Sequence, residues 1–134
     1  MCSVDLRCMV NVYHILNNDV YDYISAFAIN MVTFDKQQRS EEETLSSINY
    51  LYDKYVNAQK KLKEALREWS HIYRLYLFFM NKGYIEKSCV KEYKLILDEY
   101  TYRSKVVLNY NPYLEFKRIK IKLRKNEMLS DFKM

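Results

Sequence analysis

The chain has 134 residues with 22 Lys and Arg against 17 Asp and Glu, a net charge of +5, and 49% hydrophobic residues. That composition excludes a disordered chain and fits one domain with a single core. One Gly and one Pro, where average usage gives roughly nine and seven, remove the residues that hairpins and phosphate loops need, so an all-α fold is expected.

The first stretch, residues 4–16, is open to two readings. Ser3 can cap a helix whose first turn holds Asp5, placing Leu6, Met9, Val10 and Tyr13 on one face. Leu6, Cys8, Val10 and Val12 also alternate as in a strand. Helix is the preferred reading, ended by Asn17-Asn18. Residues 19–33 follow as a helix, with Val20, Tyr23, Ile24, Phe27, Ala28 and Met31 on one face. Asp35 to Arg39 is expected to be a loop.

Ser40 followed by Glu41, Glu42 and Glu43 is a helix start of the capping-box type. Lys82 and Gly83 supply the matching end. Between them lie about 40 residues, roughly 60 Å of helix. Counted from Leu45, heptad positions a and d are Leu45, Ile48, Tyr52, Tyr55, Gln59, Leu62, Leu66, Trp69, Tyr73, Tyr76 and Met80, and only Gln59 is polar. Such a seam predicts a coiled-coil-like helix. It bends near Gln59-Lys60-Lys61 or belongs to an elongated molecule. Residues 72–80, apolar nearly all round, are expected in the middle of the core, and Trp69 to Met80 is expected to anchor the fold.

Residues 86–108 read as the return helix of an antiparallel hairpin. Asn111-Pro112 can start another helix. Beyond it, Ile119, Ile121 and Leu123 alternate with Arg118, Lys120, Lys122 and Arg124, a strand pattern. In the helical alternative Ile121 falls off the stripe of Phe116, Ile119 and Leu123. The expected architecture is therefore one helical domain: N-terminal helices over 1–34, a long hairpin over 41–108 and a basic segment over 113–134, with short terminal strands as an option.

The residues exclude several chemistries. No glycine-rich loop is present, and catalytic residues, metal ligands and cofactors are all expected to be none. His14 and His71, with Cys2, Cys8 and Cys89, lack metal-ligand spacing, and an odd cysteine count argues against a disulfide framework. A reducing, intracellular location follows, in cytoplasm or nucleus. Asp5 and Arg7 stand where a signal peptide needs apolar residues, and no uncharged run reaches the length of a membrane span. The abundance of Tyr, Lys, Asn and Ile is the usage of an AT-rich coding genome, such as a parasite's or a large virus's, and carries no functional weight.

Two binding surfaces are expected. The first is the seam, with Leu45, Ile48, Tyr52, Tyr55 and Leu62 docking a protein partner or a second copy, because tyrosine suits an interface that is partly wet. The second is the tail. Residues 115–134 carry seven basic and three acidic side chains, whereas the rest of the chain is nearly balanced. Lys117, Arg118, Lys120, Lys122, Arg124 and Lys125 are candidates for nucleic-acid or other anion binding, with Tyr110, Tyr113 and Phe116 placed to stack on bases. An acidic protein or an anionic membrane is a third partner for the same tail. The primary reading is a non-enzymatic interaction or oligomerisation protein; the alternative is a nucleic-acid-binding accessory factor.

Overall fold

The computed structural model describes residues 7–132. Four helices pack as a bundle, and no strand occurs among the described residues. The first helix is continuous but not uniform: α1 (Arg7–His14) passes through a π-helical segment (Ile15–Val20) into α2 (Tyr21–Asp35). Then come α3 (Glu41–Asn81), α4 (Lys87–Leu108) and α5 (Pro112–Phe132).

The first helix corrects the expected break at Asn17-Asn18. Instead of ending the helix, both side chains turn back along it. Asn17 Nδ2 donates to the Tyr13 carbonyl at 3.0 Å, and Asn18 Nδ2 meets His14 Nδ1 at 2.8 Å. The expected Ser3 cap lies outside the described residues. Helix α2 ends in a turn where Gln37 takes the left-handed conformation (φ 59°), and Lys36 to Arg39 form the expected loop.

Helix α3 runs unbroken for 41 residues, through Gln59-Lys60-Lys61. Its caps are those its sequence announces. Ser40 is extended (φ −72°, ψ 160°), and its Oγ accepts from the Glu43 amide at 3.1 Å. At the far end Gly83 has φ 83°; its amide donates to the Met80 carbonyl at 3.0 Å, and the Tyr84 amide to the Phe79 carbonyl at 2.9 Å. That pair of bonds is a Schellman ending. A Cβ on Gly83 would meet nothing within 4 Å, so only the backbone conformation demands glycine there.

The expected hairpin is present: α4 returns along α3, and the continuous first helix also packs along α3. Rings place the other helices along it. Trp69 of α3 packs on Tyr93 and Tyr100 of α4, Tyr100 touches Tyr13 of α1, and Phe27 of α2 meets Tyr55 at 5.3 Å. The first helix therefore also runs antiparallel to α3. Helix α5 begins where α4 stops and continues down α3, its Tyr113 against Tyr52 at 4.9 Å and its Phe116 against Phe34 at 4.9 Å. The first helix also meets α4 near its start, at Tyr13 and Tyr100, and α5 near its end, at Phe34 and Phe116, so α3, the first helix and α4 followed by α5 enclose one core.

That α5 is helical corrects the strand reading of 118–124. A strand would need an edge to pair with, and none exists here. The helix buries Phe116 and half-buries Ile119 and Leu123, and it leaves Ile121 in solvent. Its start is as expected: Asn111 Oδ1 accepts from the Tyr113 and Leu114 amides at 3.0 and 3.4 Å, with Pro112 first in the helix.

Cys89, buried near the start of α4, is disulfide-bonded. No helix among the described residues is long and apolar enough to cross a membrane.

Candidate functional site

The α3 seam is rotated from its expected register. The d positions Ile48, Tyr55, Leu62 and Trp69 are fully buried, but the a positions are not: Leu45 is 38% exposed, and Tyr52, Gln59, Leu66 and Tyr73 are half-buried. The second buried row lies one residue earlier, at Thr44, Ala58 and Ala65, with Leu51 and Ile72 half-buried in the same row. Small residues there let neighbouring helices approach closely. Of the five seam residues expected to dock a partner, Ile48, Tyr55 and Leu62 are thus enclosed by the chain's own helices. Tyr52 is half covered by Tyr113, and only Leu45 is open.

Gln59 and Tyr55 have a specific task in this arrangement. The last carbonyls of a helix lack intrahelical donors. Tyr55 Oη donates to the Val107 carbonyl at 2.9 Å and also lies 3.3 Å from the Tyr110 carbonyl, while Gln59 Nε2 donates to the Leu108 carbonyl at 3.2 Å. Two side chains of α3 therefore close the end of α4 and fix the turn into α5. Burial, reinforced by the neighbouring Tyr110, pushes the Tyr55 phenol up to about 12. Burial likewise raises Tyr110 and Tyr113.

The distal end of α3 also departs from expectation. Residues 72–81 are not in the middle of the core; none of them is fully buried. Leu75 is 45%, Phe78 55% and Phe79 39% exposed, and Tyr84, just past the turn, is 78% exposed. Leu75, Phe78 and Phe79 stand at i, i+3 and i+4 and form one face. Phe78 and Phe79 pack on each other at 5.8 Å, and the Lys82 ammonium lies 5.6 Å from the Phe78 ring. A shallow hollow of about 390 Å³ lined by Arg67, Glu68, His71 and Ile72 adjoins the same length of helix.

The basic candidates on α5 point several ways instead of forming a ladder. Lys120 Nζ reaches Glu41 at 3.1 Å, Lys122 Nζ reaches Asp35 at 3.0 Å, and Arg118 lies 3.8 Å from Glu115. Lys117, Arg124 and Lys125 are exposed. The aromatic residues expected to stack on bases face inward. Phe116 is buried, Tyr110 is half-buried, and Tyr113 Oη donates to Asn49 Oδ1 at 2.6 Å. Between α2 and α5 runs an open groove of about 610 Å³, floored by Met31, Val32 and Ile119 and edged by the Asp35–Lys122 pair.

Among the described residues no three His, Cys, Asp or Glu side chains come together as a metal site. No family model, curated protein or solved structure matches the chain.

Proposed function

We propose that the protein is a non-enzymatic helical binding protein that associates with a second protein chain, in the first instance another copy of itself, through the distal face of α3. The observation that carries this reading is the exposed apolar face of Leu75, Phe78 and Phe79, continued by Tyr84 beyond the Schellman turn. Large aromatic side chains held on a rigid helix are the usual anchors of a protein interface. The rest of the long seam serves the chain's own core, so the docking surface moves from residues 45–62 to residues 71–84.

Size-exclusion chromatography with light scattering tests the reading. The parent is expected to show a mass above the monomer that rises with concentration. Leu75→Lys combined with Phe78→Lys is expected to run as a monomer with unchanged helicity. A parent that stays monomeric across the micromolar range would remove self-association.

A further inference from the structure

Helix α5 carries a second surface, at the opposite end of α3, that the bundle leaves uncovered. At about 100° per residue, seven side chains between residues 114 and 128 of α5 fall within a sector of roughly 120°. Leu114, Ile121 and Met128, spaced i, i+7 and i+14, form its centre line. Lys117 and Arg124 flank that line on one side, and Arg118 and Lys125 on the other. All seven are exposed, including the three apolar ones at 48%, 44% and 61%. No acidic residue lies inside the sector. Glu115 and Glu127 fall well outside it, and Glu115 reaches only Arg118, at 3.8 Å.

We propose that this face of α5 is a contact for an anionic lipid surface. A helix lying in the plane of a membrane needs an apolar ridge to enter the acyl boundary and cations on both flanks to reach headgroup phosphates. The centre line and its four cations meet both needs over about 21 Å of helix. The ridge is short, so binding is reversible and depends on both terms together. A nucleic acid would use the cations but gains nothing from Ile121 and Met128. Among the described side chains of α5 it would also find no free ring to stack on, since Phe116 is buried and Tyr113 is held by Asn49.

Vesicle co-sedimentation with the full chain provides the test, using phosphatidylcholine alone and phosphatidylcholine mixed with phosphatidylserine. Binding is expected for the mixed vesicles only, and it should weaken with salt. Ile121→Gln with Met128→Gln, and separately Lys117→Gln with Lys125→Gln, should each lower the partition coefficient about tenfold. All four residues are exposed, so circular dichroism should not change. In a parallel arm, the emission of Ile121→Trp should shift to the blue on mixed vesicles. No binding by the parent overturns the proposal, as does equal binding to neutral vesicles. So does an Ile121→Gln/Met128→Gln variant that still binds like the parent, or an unshifted emission from bound Ile121→Trp. Tight binding of a single-stranded oligonucleotide, unaffected by the apolar pair, would reassign the face to polyanions.

Discussion

From Thr44 to Trp69, α3 gives a residue to the core at nearly every turn; from Ile72 to Asn81 it gives none that is fully buried. The second segment is the more hydrophobic of the two. What separates them is their neighbours. The proximal part is enclosed by the first helix, α4 and α5, and its rings find partners on all three: Tyr52 with Tyr113, Tyr55 with Phe27 and Tyr110, and Trp69 with Tyr93 and Tyr100. On the distal face Phe78 and Phe79 meet edge to face, Lys82 lies over Phe78, and the rest of this surface meets solvent. Hydrophobicity of a stretch states what it would bury, and topology decides whether anything arrives to cover it.

The sharpest way to break this comparison is at Trp69. Trp69→Ala should cost about 3–5 kcal/mol by urea unfolding, whereas Phe78→Ala on the distal face should stay within about 0.5 kcal/mol of the parent. Equal losses would mean the two segments do not differ. Trp69→Phe should cost far less than Ala, because Trp69 Nε1 makes no hydrogen bond that the change would remove.

Next in size is Tyr55→Phe, which removes the hydroxyl's bond to the Val107 carbonyl, an acceptor that keeps the Tyr110 amide at 3.2 Å, and should cost about 0.5–1.5 kcal/mol. Its pH dependence has a definite sign. The phenol is raised in the folded chain, so its contribution is complete below its ordinary pKa of 10.0 and is lost as pH rises through about 12. The stability gap between parent and variant should therefore narrow over that window. A gap constant with pH would show that the hydroxyl is not held as described.

At a concentration low enough for the parent to be monomeric, Leu75→Lys with Phe78→Lys should leave the unfolding midpoint nearly unchanged, with a shift within about 0.5 kcal/mol per site. A large loss under that condition would show that this face is packed in the monomer. The smallest effect belongs to Lys122→Ala, where an exposed ion pair with Asp35 is worth about 0–1 kcal/mol and should fade with salt.

Much of the fold was legible before any coordinates. The limits of α3 were readable because caps are local chemistry: Ser40 with Glu43 at one end and Gly83 at the other. The hairpin was readable because a short turn leaves two long helices no other arrangement. The register of the core row was not, since Thr44, Ala58 and Ala65 are small and do not register as hydrophobic, while the larger residues beside them do. Nor was the state of 116–124. Ile119, Ile121 and Leu123 alternate as in a strand, and tertiary packing, with Phe116 on Phe34 and Tyr113 on Tyr52, favours the helix. For the candidate surfaces, the sequence could not say which faces of α3 and α5 stay exposed, because exposure is a property of the assembled neighbours.

The π-helical segment Ile15–Val20 has a consequence for the chain's length rather than its composition. A π turn holds about one residue more than an α turn, so the segment sets the angular phase between Val12 on one side and Phe27 and Phe34 on the other, all three buried. Gaining or losing a single residue is therefore not equivalent everywhere. In the loop over 36–39 an added residue only lengthens a connection, at small entropic cost. Removing one between 15 and 20 would turn every buried side chain of α2 by about 100° relative to α1. This short stretch acts as a counting device, intolerant of a changed number of residues as well as of losing its buried Ile15, Leu16 and Val20.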